Sequence, residues 1–314
     1  MKKLLVILCC ILALQSCNKG NTGTETVNGF YINWSGDLNK NEQAAIKAMI
    51  ENMVKVEVDT FYMGAQPKYS MDYNYDKNAT SLESPVHEVT LSEFYINKYE
   101  VTQNLWKAVM GNHNDKNDEF DQWEDKFGKG DNYPAYRISF EEVETFIGKL
   151  NEYTGLNFAL PTEAQWEYAA RGGKEAIFKD IINQVPVYDS IANDTILVND
   201  TISTYEFIYA GGENVTDFAW IDENSDKCSE IGKKNPNILG IYDMSGNVWE
   251  MCSNWYYDYS TVCDTITSGE AYTGHKVFRG GSWNTNAQQA RVTARYKQGI
   301  HYRDYNTGFR LVIE

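Results

Sequence analysis

The chain has 314 residues, with 28 basic and 44 acidic side chains and a net charge of −16. If Lys2 and Lys3 are removed with a leader, 26 basic and 44 acidic side chains remain, and the net charge becomes −18. Such a field repels phosphate backbones and anionic headgroups, so the composition excludes nucleic-acid binding. Aromatic residues make up 14% of the chain, which supplies a large core and is opposite to the composition of a disordered protein.

The N-terminus has the three-part layout of a secretory signal. Lys2 and Lys3 precede an apolar run at residues 4–14, and a short polar end leads to Cys17. The run is too short to cross a bilayer, which needs roughly 20 apolar residues, and no later stretch comes close. We therefore expect residues 1–16 to be a signal peptide and no segment to span a membrane permanently.

Leu14-Gln15-Ser16-Cys17 resembles a bacterial lipobox, which implies that the Cys17 thiol receives diacylglycerol and becomes the mature N-terminus. A multiply acylated cysteine holds a protein stably on a bilayer. The alternative is a soluble secreted protein whose signal happens to contain cysteines. We expect residues 17–28 to form a flexible tether. No acidic run follows Cys17, which favours the periplasmic side of a membrane in the bacterial cell envelope.

Three cysteines remain in the mature chain after lipidation of Cys17, namely Cys228, Cys252 and Cys263. Three thiols cannot all pair internally in an oxidising compartment. Cys252 and Cys263 can close a short loop and leave Cys228 free, although sequence does not decide the connectivity. The spacing of cysteine and histidine does not match a zinc site.

The first periodic segment predicts a helix over residues 41–54, because Ala45, Ile46, Met49, Ile50 and Met53 repeat at helical spacing. We assign residues 29–52 to an N-terminal helical extension and residues 53–314 to the main domain. Strands are predicted at residues 53–58 and 86–91, where apolar and polar residues alternate.

Three further helices have clear end signals. Thr102 can cap residues 103–110, with Gly111 past the end. Ser139 with Glu142, and Thr162 with Gln165, form capping boxes, and glycines at 155 and 172–173 end the two helices. Residues 174–204 are β-prone but broken by turns, and we interpret them as an insertion that forms a solvated hairpin.

Five blocks together resemble the formylglycine-generating enzyme, or sulfatase-modifying factor, domain family. In chain order they are Phe61-Tyr62-Met63-Gly64; Pro85-Val86-His87-Glu88-Val89 with residues 94–102; residues 160–173, which begin Leu160-Pro161-Thr162; Gly240-Ile241-Tyr242-Asp243-Met244-Ser245-Gly246-Asn247-Val248-Trp249-Glu250; and Arg279-Gly280-Gly281-Ser282-Trp283 with Arg291, Arg295 and Gly308-Phe309-Arg310. The resemblance implies an α+β fold, the family's variant of the C-type lectin fold, with little regular secondary structure. For Arg291, Arg295 and Arg310 we predict structural roles, because guanidinium groups satisfy carboxylates and main-chain carbonyls.

The catalytic chemistry of the family depends on thiols that this chain lacks. Formylglycine-generating enzymes oxidise a substrate cysteine with a copper ion held by two cysteines just beyond the Gly-Gly-Ser block, and soft Cu(I) favours thiolates. Here residues 282–291 contain no cysteine, and none follows Cys263. We therefore expect no copper and assign no catalytic residue. A related branch binds iron through histidines of an additional helical domain, for which this chain has no room.

The resemblance also implies a structural calcium ion. Its ligands would be the side chains of Asp243 and Glu250 and the main-chain carbonyls of Gly246 and Val248. Hard carboxylate and carbonyl oxygens in one tight loop suit Ca²⁺. The alternative is that both acids only cap the local backbone.

Two functions remain open. The first is a binding or scaffolding lipoprotein that recognises a protein, peptide or glycan, with a possible ligand cleft at Arg279, Ser282, Trp283 and Asn284. Loops on a rigid frame support such roles. The alternative is an oxidoreductase or peptide-modifying enzyme of the same family that acts on exported substrates.

Overall fold

The computed structural model describes residues 23–111, 123–189, 194–259 and 273–314. The predicted signal peptide, Cys17, the first part of the predicted tether and Cys263 lie outside these ranges. The helices of the described part are α1 (Lys40–Glu51), α2 (Gln103–Met110), α3 (Phe140–Thr154), α4 (Glu163–Arg171) and α5 (Val215–Phe218). None of them is long and apolar enough to cross a membrane.

The strands form several small sheets and hairpins. They are β1 (Gly23–Val27), β2 (Phe30–Trp34), β3 (Met53–Val56), β4 (Thr60–Met63), β5 (His87–Thr90), β6 (Phe94–Asn97), β7 (Phe158–Ala159), β8 (Phe178–Asp189), β9 (Asp194–Tyr205), β10 (Trp249–Trp255), β11 (His275–Arg279), β12 (Arg295–Gly299), β13 (Thr307–Gly308) and β14 (Val312–Ile313).

Two four-stranded sheets join distant parts of the chain. One has the order β3-β6-β14-β7, so the C-terminal strand β14 lies between β6 and β7, which are far from it in the sequence. The other has the order β12-β11-β10-β13, with β13 parallel to β10. Many of these strands have only two to five residues and form few backbone hydrogen bonds. Side-chain contacts must therefore contribute much of what holds the strands together.

The predicted helix ends of α2, α3 and α4 are confirmed. The Thr102 hydroxyl accepts a hydrogen bond from the Leu105 N–H, and both capping boxes are present. Gly155 and Gly172 adopt left-handed conformations just past the helix ends, where a residue with a Cβ is strained. These signals act over three or four residues, so the rest of the fold need not be known to find them.

The N-terminal region differs from its prediction. Residues 23–28 belong to the predicted flexible tether, but in the structure β1 pairs with β2 across an Asn28-Gly29 turn in which both φ angles are positive. Asn-Gly is the preferred pair for a two-residue hairpin turn, and this signal was missed. The helix begins at Lys40 and ends at Glu51, and it packs into the same core as Trp34. The region is therefore a hairpin and a helix within the main core.

The predicted hairpin in the insertion is confirmed. Strands β8 and β9 pair with each other over twelve residues each and with no other strand of the described chain. Exposed apolar side chains along them include Ile182 and Leu197. The hairpin begins close to the predicted start at residue 174, after a short 3-10 helix.

Two buried arginines from the C-terminal half hold glutamates of α4. Arg279 donates to the carboxylates of Glu163 and Glu167 at 2.8 and 2.5 Å and to the Val292 carbonyl at 2.6 Å. Arg295 donates twice to Glu163, at 2.6 and 2.9 Å. Burial acts to raise the pKa of the Glu163 carboxyl, but Arg295 and Arg279 outweigh it and hold that pKa below its usual range. The carboxylate therefore stays ionised between its two arginines.

A third buried arginine joins the C-terminus to the middle of the chain. Arg310 donates to both oxygens of Glu250 at 2.6 Å, and Trp166 Nε1 donates to Glu250 at 2.7 Å. The same guanidinium reaches the carbonyls of Asn97 and Tyr242 at 3.1 and 2.9 Å. Carbonyls without a strand partner are satisfied in this way.

The fourth arginine, Arg291, pairs with Glu83 through two hydrogen bonds at 2.7 and 2.8 Å and with Asp76 at 2.8 Å. The structural roles predicted for Arg291, Arg295 and Arg310 are thereby confirmed. We refer to Arg279, Arg291, Arg295, Arg310 and their carboxylate partners as the arginine frame.

We expect Arg310→Met to lower the free energy of unfolding by about 3–5 kcal/mol, because Glu250 would stay buried without its cation. Chemical denaturation of the full chain measures this loss. The matched control is Arg303→Met, since Arg303 pairs with Glu142 near the surface, where a pair contributes about 0–1 kcal/mol. Equal losses in the two variants would contradict the role assigned to the arginine frame.

Candidate functional site

The loop at residues 240–250 has an unusual backbone. Asp243, Gly246 and Asn247 all have positive φ angles, of 59°, 79° and 61°. A Cβ on Gly246 would lie 2.2 Å from the carbonyl oxygen of Trp220, so glycine is required there by both conformation and space. Trp220, which lies outside the loop, also fixes its backbone, because the Asn247 N–H donates to the same Trp220 carbonyl at 2.9 Å.

Two buried carboxyl groups meet this loop with one oxygen each unsatisfied. Asp243 Oδ2 accepts from the Gly232 N–H at 2.7 Å, but Oδ1 has no hydrogen-bond partner among the described residues. Glu100 Oε2 accepts from the Asn247 amide at 2.8 Å, but Oε1 has no partner in the same part of the chain. A buried oxygen without a donor is costly, and a bound donor or cation would remove that cost.

The electrostatics of these two groups are unfavourable. Burial, followed by the nearby charges of Asp243 and Glu250, raises the pKa of the Glu100 carboxyl well above its usual range. Burial also raises the pKa of the Asp243 carboxyl, although the Gly232 N–H and Arg310 act against it. Both shifts come first from burial, and the charge of Glu250 adds to each of them.

The calcium ligands predicted from the resemblance fit in part. Asp243 Oδ1 is buried and unpartnered, and the carbonyls of Gly246 and Val248 accept no backbone hydrogen bond outside the strands in the described part of the chain. Glu250 is different, because both its oxygens are held by Arg310. Within the same described ranges, no three His, Cys, Asp or Glu side chains are grouped to hold a metal. Any cation here would rely on main-chain oxygens and Asp243.

The predicted ligand cleft is not an open group of four side chains. Arg279 and Ser282 are fully buried, and Arg279 belongs to the arginine frame. Trp283 is also buried, and its indole nitrogen donates to the Tyr305 carbonyl at 3.4 Å. Asn284 is half-buried and accepts from the Ser282 hydroxyl at 2.8 Å. Of the four, only Asn284 can meet a ligand without rearrangement, because the others are engaged inside the protein.

The described cysteines do not form a redox centre. Cys228 and Cys252 are free and buried, while Cys263 lies outside the described residues. Burial raises the pKa of both thiols, so neither is held as a reactive thiolate. The Cys228 thiol donates to the Phe127 carbonyl at 2.8 Å, which indicates a packing role.

Sequence reasoning overlooked Glu100. It lies in one of the family blocks, two residues before Thr102, the cap of α2, yet nothing in its local pattern distinguishes it from a surface glutamate. A charged residue between Tyr99 and Val101, in a segment that leads from a buried strand into a capped helix, was the one available signal.

The chain is similar to several known proteins. The chaperone protein LppX of Paenibacillus barcinonensis is 31% identical over 251 residues, which are 71% of this chain and 81% of the relative. The formylglycine-generating enzyme of Mus musculus is 25% identical over 282 residues, covering 83% of this chain and 68% of the enzyme. Among solved structures, Treponema denticola variable protein 1 superposes with a TM-score of 0.58 and 23% identity over 92% of this chain and 98% of that one.

The structural likeness concerns the fold alone, and with the observed architecture it confirms the predicted α+β fold of the family. The family model described as the sulfatase-modifying factor enzyme 1-like domain matches residues 38–314. The match begins before the predicted boundary at residue 53 and so includes α1, in agreement with the shared core. The chain therefore belongs to the sulfatase-modifying factor enzyme 1-like domain family.

Proposed function

We propose that the protein is an exported lipoprotein, anchored through Cys17 on the periplasmic side of a bacterial membrane. Its domain binds or scaffolds a protein, peptide or glycan and does not oxidise cysteine. The anchor is supported by the lipobox-like Leu14-Gln15-Ser16-Cys17 and by the basic and apolar residues before it.

One observation carries the proposal for the domain. The segment in which the resemblance places the copper-binding cysteines, residues 282–291, has no cysteine, and the chain has none after Cys263. Soft Cu(I) needs such ligands. The polar side chains at Ser282 and Asn284 bond to each other instead, at 2.8 Å. The chain therefore keeps the family's fold, but this segment lacks the cysteines that would bind copper.

A protein partner is favoured over the other ligands. The relative from Paenibacillus barcinonensis is named a chaperone and is 31% identical to this chain. The net charge of −16 suits a partner with basic groups and disfavours nucleic acid. A second candidate, an enzyme of this family acting on exported substrates, is favoured only by relatives named formylglycine-generating enzyme.

We also propose a structural calcium ion at Asp243, with main-chain oxygens of Gly246 and Val248. Chelation should then lower the melting temperature, and Asp243→Ala should remove this effect. At a free calcium concentration about 100 times Kd, the ion would contribute about 2.7 kcal/mol of stability. Asp226→Ala, which removes an exposed carboxylate nearby in the chain, should respond to chelator as the wild type does. An unchanged wild-type melting curve would remove the calcium proposal.

The lipid anchor can be tested by fractionation. We expect Cys17→Ser to move the protein from the membrane fraction to the soluble fraction, because the thiol that receives the lipid is lost. Metabolic labelling with a fatty acid should mark the wild type and spare the variant. If the variant stays with the membranes, lipidation at Cys17 does not account for anchoring.

The binding function is tested by capture from native membranes. We expect the wild-type chain to retain a discrete envelope protein that also binds the purified chain directly. The enzyme alternative is addressed in the same material by metal analysis and by incubation with a cysteine-containing peptide. Tight Cu(I) uptake or turnover of that peptide would contradict the non-redox proposal.

A further inference from the structure

The connection between Cys17 and the folded domain is short. Strand β1 begins at Gly23, so residues 17–22 alone separate the cysteine from the first paired residue of the domain. Six residues span at most about 22 Å, whatever their conformation. The tether predicted from the sequence ran to residue 28, and a tether of that length would span up to about 43 Å. The hairpin of β1 and β2 therefore halves the reach of the proposed anchor.

This reach is small compared with the size of the domain. A compact chain of about 300 residues has a radius of gyration of about 19 Å, which corresponds to a sphere with a radius of about 25 Å. When such a sphere rests on a plane, a point on its equator lies about 25 Å above the plane. Since Gly23 lies within about 22 Å of Cys17, an anchored domain must keep Gly23 in the half that faces the bilayer.

The surface beside Gly23 is formed by the edge of β1 and by α1. Gly23 pairs with Trp34 of β2, and Lys47 Nζ of α1 lies 5.9 Å from the centre of the Trp34 ring. Lys47 also forms an ion pair with Glu25 of β1 at 2.7 Å. The helix thus lies against the first strand, next to the point at which the connection to Cys17 enters the domain.

The side of α1 that adjoins β1 is polar and open. Lys40, Gln43, Ala44 and Lys47 follow one another at helical spacing and line a depression of about 260 Å³. Lys40 and Ala44 are exposed, whereas Gln43 is buried. The lining contains two lysines and no acid. This side of the helix therefore does not add to the negative charge of the chain.

The charge of the chain is unevenly divided along the sequence. Residues 17–56, which include β1, β2 and α1, contain four basic and four acidic side chains. Residues 57–314 contain 22 basic and 40 acidic side chains, a net charge of −18. Anionic headgroups repel the larger part of the chain, whereas the N-terminal part has no net charge for them to repel. The charge distribution thus favours the same orientation as the short connection.

We infer that the side of α1 at Lys40 and Ala44, with the adjoining edge of β1, lies against the bilayer. The six residues between Cys17 and β1 hold it there. The inference rests on the proposed anchor at Cys17, since it names the face that this anchor turns toward the lipid. The acidic remainder of the chain faces away from the headgroups, where a partner can approach it. The Lys40 side of α1 is closed to a soluble partner.

Amine footprinting of the full lipidated chain in vesicles tests this orientation. The vesicles contain phosphatidylethanolamine and phosphatidylglycerol, and acetylation of each lysine by an N-hydroxysuccinimide ester is followed by mass spectrometry. Compared with Cys17→Ser protein mixed with the same vesicles, Lys40 should react about fivefold more slowly, as for a group that is open in about a fifth of orientations. Lys179 is exposed at the base of the β8–β9 hairpin, which packs against the core cluster that does not include α1, and it should react equally in both.

Two insertions show whether the short connection is the cause. About 24 Gly-Ser residues placed between residues 22 and 23 give the connection an average length of about 30 Å, which exceeds the radius of the domain. Lys40 should then react as it does in the Cys17→Ser protein, while the inserted chain stays on the vesicles. The same insert after Glu314 is the matched control, and it should leave Lys40 protected.

Three results would overturn the inference. They are equal reactivity of Lys40 in the anchored and unanchored chains, equal protection of Lys40 and Lys179, and protection of Lys40 that survives the longer connection. A wild-type chain that does not associate with membranes would contradict the proposed anchor itself. A chain that associates with membranes while Lys40 stays reactive would contradict the orientation alone.

Discussion

Buried ion pairs between arginines of the C-terminal third and acids from earlier in the chain organise this fold. Arg279 and Arg295 share Glu163, Arg291 holds Glu83, and Arg310 holds Glu250, with donor-acceptor distances between 2.6 and 2.9 Å. Such pairs are expensive to desolvate, and they are stable here because the guanidinium groups also satisfy carbonyls that have no strand partner. A chain built from short strands and loops depends on this second role. The sheets pair the strands with each other, and the arginines bind carboxylates and main-chain carbonyls that the sheets do not pair.

The arginine frame does not require a redox centre. The turn that leads from Arg279 through Trp283 packs by internal hydrogen bonds and ring contacts, and Trp283 lies against Tyr305. A family fold can therefore persist when its copper-binding thiols are absent, because its stability comes from a different set of residues. Function on such a frame is free to move to other loops. This separation is why membership of the family and the absence of cysteine at residues 282–291 are compatible.

Glu100 and Asp243 differ from the paired acids of the arginine frame. Each has one buried oxygen to which no described residue donates, and burial raises the pKa of both carboxyl groups. The calcium ion proposed at Asp243 would add positive charge at this loop. Asn247 connects the two acids, since its amide binds Glu100 and its backbone belongs to the loop of Asp243. Positive φ angles and buried carboxyl oxygens without a described partner thus occur in one place, and such backbone conformations are common at functional sites.

The sequence by itself determined the family, the ends of α2, α3 and α4, and the hairpin at β8 and β9. These follow from local rules, because a cap or a turn acts over a few residues. It also identified Arg291, Arg295 and Arg310 as structural, although not their partners. Only the tertiary structure decided that Arg279 is buried, that Glu250 is already paired, and that one oxygen of the buried Glu100 has no partner among the described residues. Those facts depend on contacts between residues such as Arg279 and Glu163, which are 116 positions apart. No local sequence pattern indicates which distant residues will be in contact. Burial then changes the pKa and the energetic cost of the charged groups that meet.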